Sequence, residues 1–192
     1  MWITNIMQGL NTHQIYDILS QDPDVGPHFG GVYARNTLPS TSIGQTFVLN
    51  TDPASEPGEH WVCIYIDPRT GIGEYFDSYG FPPLREFERF MASRCRQMTY
   101  NPVCYQSDET SVCGHYCIYF LKKRSQGLLN PFQILPYPKT PRGMEKLWND
   151  RYVYQWFRRR YQIPPPVPPQ KCQKCRPRRK DRHRTCSKFC IK

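Results

Sequence analysis

Glu59-His60-Trp61-Val62-Cys63-Ile64-Tyr65-Ile66-Asp67-Pro68-Arg69-Thr70-Gly71-Ile72-Gly73-Glu74-Tyr75-Phe76-Asp77 is the stretch on which the fold turns. Trp61–Ile66 and Gly73–Phe76 are short runs rich in β-branched and aromatic residues, the composition that suits a pleated, buried surface. Asp67-Pro68-Arg69-Thr70-Gly71 between them has turn chemistry, so the two runs read as a β-hairpin. In a hairpin, the start of one strand and the end of the next share an edge. His60 and Asp77 therefore arrive together.

Working outward, Thr46-Phe47-Val48-Leu49 reads as a third strand. Upstream, Gly26-Pro27-His28-Phe29-Gly30-Gly31-Val32-Tyr33 reads as a Gly/Pro-rich bend. Before it, Ile15, Ile18 and Leu19 recur at helical spacing after the capping residues Asn11 and Thr12, and Asp22-Pro23 ends that helix. Downstream, Leu84, Phe87, Phe90 and Met91 mark a helix over 84–95, and Gln97 to Tyr105 is extended and β-prone. A helix opening near Cys113 buries Tyr116, Cys117, Phe120 and Leu121. A last helix over about 143–160 turns Leu147, Trp148, Val153 and Trp156 inward, with Arg158-Arg159-Arg160 at the C-terminal end that favours cations. Helical and strand periods alternate, so the expected class is α+β: a central mixed sheet flanked by helices, followed by a basic tail. Residues 1–162 form the expected domain, 163–170 a stiff Pro-rich linker, and 171–192 a basic, Cys-rich tail. No internal repeat is visible.

The formal charge of +10 points to nucleic acid or another acidic surface, provided it is spread over the folded part. It is not. Residues 171–192 hold ten of the 26 Lys and Arg but one of the 16 Asp and Glu, leaving that tail at +9 and residues 1–170 at +1. A chain of 192 residues can bury a self-sufficient core. The N-terminus Met1-Trp2-Ile3-Thr4-Asn5-Ile6-Met7 lacks a signal-peptide pattern, and no stretch approaches the ~18 apolar residues of a membrane span. A soluble, non-secreted protein is expected. Five cysteines lie in the body (Cys63, Cys95, Cys104, Cys113, Cys117) and four in the tail (Cys172, Cys175, Cys186, Cys190). An odd count in a non-secreted chain argues for reduced thiols.

Four positions assemble into nucleophilic chemistry. Cys113-Gly114 follows the polar loop Ser107-Asp108-Glu109-Thr110-Ser111 and opens an apolar helix, so its thiol meets the free N–H groups and dipole that favour thiolates. His60 supplies an imidazole base, Asp77 a carboxylate to orient it, and Gln106, placed at the end of the preceding strand, an amide for an oxyanion hole beside the Cys113 N–H. Each also has an ordinary reading. A free cysteine is usually a small buried hydrophobe, a lone histidine is usually structural, and Asp before Ser-Tyr-Gly is a turn former. His115 and Cys117 compete for the catalytic roles but read better as structure on the apolar helix.

Taken jointly, His60-Trp61, Asp77 seventeen positions on, and Gln106 seven positions before Cys113-Gly114 resemble the adenovirus cysteine proteases (adenain type) and, more distantly, the ubiquitin-like-protein (SUMO) proteases. The Gln-to-Cys interval and the upstream Gly26-Pro27-x-Phe29-x-Gly31-x-Tyr33 favour the adenovirus kind. The resemblance covers about residues 14–125. It implies a papain-like core in reversed order and an endopeptidase, needing no cofactor for its chemistry, that processes precursor proteins of a virus or virus-derived element near glycines. It also implies stimulation by DNA and by a basic peptide disulfide-bonded to the protease; a monomer is expected, in the host nucleus and the virion if the chain is viral. Cys95, eighteen residues before Cys113, stands where that disulfide partner would be, and an ordinary free cysteine is the equal alternative. One triad position departs: Asp77 stands where the adenovirus enzyme has Glu.

The tail's Cys172-x2-Cys175 and Cys186-x3-Cys190 pairs are spaced for a four-thiolate zinc site, amid Lys and Arg that suit DNA phosphates. A basic arm or import signal without metal, and an activating segment acting in cis, are the other readings. Besides precursor processing, two functions stay open: a deconjugating protease for ubiquitin-like modifiers, and a non-enzymatic nucleic-acid-binding virion protein.

Overall fold

The computed structural model describes residues 7–41, 44–128, 130 and 144–161. Helix α1 (Thr12–Gln21) starts with a capping box: the Asn11 side chain accepts the Gln14 N–H at 2.9 Å, and the Gln14 side chain accepts the Asn11 N–H at 3.0 Å. A 3₁₀ turn (Gly26–His28) leads into β1 (Phe29–Ala34), followed by β2 (Thr46–Asn50), β3 (Trp61–Ile66) and β4 (Ile72–Phe76). Helix α2 (Arg85–Ala92), β5 (Gln97–Tyr100), α3 (Cys113–Ser125) and α4 (Glu145–Tyr161) complete the order. The five strands form one mixed sheet in sequence order, with β1–β2 and β4–β5 parallel and the two middle pairs antiparallel.

Alternation along the strands builds two cores. Val48, Cys63 and Phe76 face one side and pack with α1, α3 and α4 through Ile15, Leu19, Tyr116, Phe120, Val153 and Phe157. Phe47, Leu49, Val62, Ile64 and Tyr75 face the other, where Phe87, Phe90 and Met91 of α2 cover them. Buried on both faces, β2 and β3 read as nearly continuous apolar runs. Helix α3 is likewise buried almost all round, because it lies between the sheet and α4.

Three expectations need correction. The stretch 26–33, expected as a bend, holds all of strand β1 but its last residue, Ala34. The strand's two glycines hid it, yet both serve it: a Cβ on Gly30 would fall 2.1 Å from the Phe47 ring, and Gly31, at φ 123°, takes up a register slip against β2. The extended stretch 97–105 is a strand only to Tyr100, and Pro102, which has no N–H to donate, follows in the loop that runs on to Gln106. In α4 the inward face is Asn149, Asp150, Val153 and Phe157; Trp148 is exposed, and Leu147 and Trp156 are half-buried. The polar pair is drawn in by partners from other elements, which helical periodicity cannot anticipate.

A buried ion cluster ties three elements together. Lys122 Nζ on α3 lies 2.6 Å from Asp22 Oδ1 and 2.5 Å from Asp24 Oδ2, and the Tyr161 hydroxyl donates to Asp22 Oδ2 at 2.9 Å. Burial would raise the Asp22 carboxyl, but the bonds from Lys122, the Asp24 N–H and Tyr161 hold it below its ordinary value. Asp22 therefore stabilises the fold above its ordinary range near 3.8, and that contribution is lost as pH falls. Lys122→Met strands this carboxylate in the interior, and denaturant unfolding at neutral pH is expected to show a loss of about 3–5 kcal/mol. The penalty shrinks on acidification, as the stranded carboxyl takes up a proton.

Candidate active site

The hairpin register builds the site. Cys63 pairs with Phe76, so extending the ladder three places outward sets His60 opposite Tyr79. The two rings do meet, with centroids 4.8 Å apart. Just inside that level, His60 Nε2 lies 2.8 Å from Asp77 Oδ1. With Nε2 held by the carboxylate, Nδ1 is the ring nitrogen left free of Asp77, in the cleft that Cys113 also lines.

Asp77 is fixed from several directions. Its Oδ1 accepts the Tyr79 N–H at 2.7 Å, its own N–H donates to Asn101 Oδ1 at 2.9 Å, and Asn101 Nδ2 donates to the Asp77 carbonyl at 2.8 Å and to the Val103 carbonyl at 3.0 Å. Gly80 closes the turn at φ 79°. A Cβ there would meet the backbone at Val103 and Cys104 at 2.8–3.0 Å, so only glycine lets the loop after β5 pass beneath.

That loop delivers Gln106. Its backbone N–H donates to the Ser78 carbonyl at 3.0 Å, and its side-chain oxygen accepts the Ser78 hydroxyl at 2.7 Å, which sets the amide's orientation. Gln106 Nε2 then donates to the Thr110 carbonyl at 2.8 Å and, more weakly, to the Tyr79 hydroxyl at 3.3 Å. Cys113 opens α3. Its cap residue Val112 makes no side-chain cap hydrogen bond to the first turn. His60, Asp77, Gln106 and Cys113 all line one cleft of about 550 Å³.

Burial alone would push the His60 imidazole down. The hydrogen bonds to Asp77 and Cys113, with the negative charge of each, outweigh burial and carry it from 6.5 to about 9. The imidazolium is thus the held form at neutral pH.

Of the competing residues, His115 is buried against Tyr154 and Phe157, and burial pushes it down to about 3. Cys117 is fully buried, and its thiol is pushed well up by burial and by Cys63. Neither lines the cleft. Cys95 lies between α2 and β5, packed over Gly73 on the α2 side of the sheet, and burial raises its thiol. It does not join the cleft. The tail cysteines Cys172, Cys175, Cys186 and Cys190 lie outside the described residues, and among the described residues no group of three or more His, Cys, Asp or Glu could hold a metal ion. No helix among them is long and apolar enough to cross a membrane.

Sequence reasoning missed the supports. Ser78, Tyr79, Asn101 and Thr110 hold Asp77 and Gln106 in place, and nothing in their spacing distinguishes them from turn residues. Asp77→Asn removes the charge that sustains the imidazolium. Titration of the His60 ring by NMR is expected to give a value near 9 in the unaltered protein and a clearly lower one in the variant. An unchanged value would detach Asp77 from His60.

No family model matches the chain. It is 32% identical over 89 residues to the cysteine protease S273R of African swine fever virus, covering 40% of this chain and 32% of that protein, so it spans about a third of that relative's length. To the protease of bovine adenovirus 7 it is 26% identical over 139 residues, covering 59% of this chain and 68% of that one. The crystal structure of the African swine fever virus pS273R protease superposes with a TM-score of 0.50 at 20% identity, over 76% of this chain and 67% of that chain. The chain thus shares the α+β fold of that protease and resembles the viral cysteine proteases in sequence.

Proposed function

We propose that the protein is a cysteine endopeptidase that processes precursor proteins of a virus or virus-derived element. The carrying observation is the 2.8 Å bond between His60 and Asp77 in the same cleft as Cys113, which opens α3 without a side-chain cap. Similarity to viral proteases supports the substrate class.

In the proposed cycle the Cys113 thiolate attacks a peptide carbonyl, and the oxyanion is met by the first-turn N–H groups of α3 and by Gln106 Nε2, which exchanges its long bond to Tyr79 for the substrate. His60, as imidazolium, gives its proton to the leaving amine. It then takes a proton from water, whose oxygen attacks the thioester and frees Cys113 and the new carboxylate. Asp77 keeps the ring oriented and its charge stabilised. Residues 1–162 make up the protease domain, followed by the 163–170 linker. The basic tail is assigned to DNA, with Cys172, Cys175, Cys186 and Cys190 as its zinc ligands. The site needs no metal.

The test incubates the full chain, with and without duplex DNA, with its candidate precursors and with a fluorogenic modifier ending in Gly-Gly. Cys113→Ala is expected to abolish cleavage, His60→Ala to lower kcat/KM by about 10²–10⁴, and Asp77→Asn to cost less than His60→Ala. Full activity of Cys113→Ala overturns the proposal. Turnover of the modifier alone moves the enzyme to the deconjugating class, and a rate indifferent to DNA removes the tail from regulation.

A further inference from the structure

The polar cluster around Asp150 is unused by the chemistry described so far. Asp150, on α4, is fully buried. Its Oδ2 accepts the Ser107 N–H at 3.1 Å and the Thr110 hydroxyl at 2.7 Å, and its Oδ1 accepts the Tyr116 hydroxyl of α3 at 2.9 Å. The Thr110 hydroxyl has one proton, and the alternative acceptor, the Ser107 carbonyl at 3.3 Å, is the poorer one. Asp150 therefore grips both ends of Ser107–Thr110, in the loop between Gln106 and Cys113. Thr110 in turn offers its carbonyl to Gln106 Nε2.

We infer that Asp150 is a positioning residue that holds the loop between Gln106 and Cys113 so that the amide of one and the N–H groups at the other converge on the substrate's oxyanion. The inference rests on the protease reading above. Asp150 touches no substrate atom and acts through Thr110 and Ser107.

The energetics favour this over a purely structural role. The titratable groups around Asp150 are Tyr116 on α3, Lys146 on its own helix and Tyr79 beside the cleft. Burial raises its carboxyl from 3.8 to about 6, against the bonds from Thr110, Tyr116 and Ser107 and the charge of Lys146. Between those values the folded protein binds the extra proton, so stability falls as pH rises through the window. At neutral pH the ionised carboxylate is a burden on folding. A buried charge that opposes stability while ordering a loop at the cleft is what a functional site tolerates.

The experiment compares the full chain with Asp150→Asn and Thr110→Val, the second removing the hydroxyl but keeping the carbonyl. With a cleavable peptide at pH 7.5, Asp150→Asn is expected to lower kcat about tenfold to a hundredfold with KM within about twofold, since a loop displaced by an ångström costs that much. Thr110→Val shifts kcat the same way by less. The rate at which iodoacetamide alkylates Cys113 stays unchanged, because that displacement passes through no oxyanion, and the melting temperature stays within about 4 °C. Unchanged kcat, or parallel loss of kcat, alkylation rate and melting temperature, overturns the inference. If the unaltered chain hydrolyses nothing, the protease reading fails first, and that outcome is separate from a negative Asp150 result.

Discussion

The pairing of Cys63 with Phe76 is the constraint from which the site follows. A shift of one residue would turn Val62, Ile64 and Tyr75 away from α2 and dismantle both cores, so burial locks the register. The same register brings His60 level with Tyr79 and within 2.8 Å of Asp77. A hydrophobic requirement thus fixes a polar geometry. Phe76, stacked on Phe120 at 4.6 Å, carries that register through to α3, whose first residue is Cys113.

Around the ends of the strands the backbone is held by side chains rather than by ladder bonds. Asn101 bridges Asp77 and Val103, Ser78 orients Gln106, and Asp150 holds Ser107 and Thr110. These groups are largely buried, where a misplaced or missing partner leaves a desolvated polar atom, so the network tolerates few alternative arrangements. Low mobility of the cleft is the expected consequence, and preorganised donors suit a reaction that develops negative charge on a carbonyl oxygen.

Strands β3 and β4, and the shared edge of His60 and Asp77, are legible in the sequence because a hairpin is local: apolar runs and turn chemistry decide it within nineteen residues, 59–77. The start of α3 at Cys113 was legible because a polar loop gives way to an apolar helix. Strand β1 was not, since its glycines have weak β preference and its identity comes from parallel pairing with β2. The inward turn of Asp150 was hidden for a similar reason. Helical periodicity favoured Trp148, but partners more than thirty positions away draw the carboxylate in. Gln106 lines the cleft with Cys113 from a loop and not from the expected strand end, because extended composition continues past Tyr100, where β5 stops.

The central claim is that Cys113 and His60 act as one nucleophilic unit. The direct measurement is competitive labelling of the full, reduced chain with substoichiometric iodoacetamide at pH 7, followed by peptide mapping. The account predicts that Cys113 is modified ahead of Cys63, Cys95, Cys104 and Cys117, and that His60→Ala abolishes this preference. Modification of another cysteine first, or a preference for Cys113 that survives His60→Ala, would contradict it.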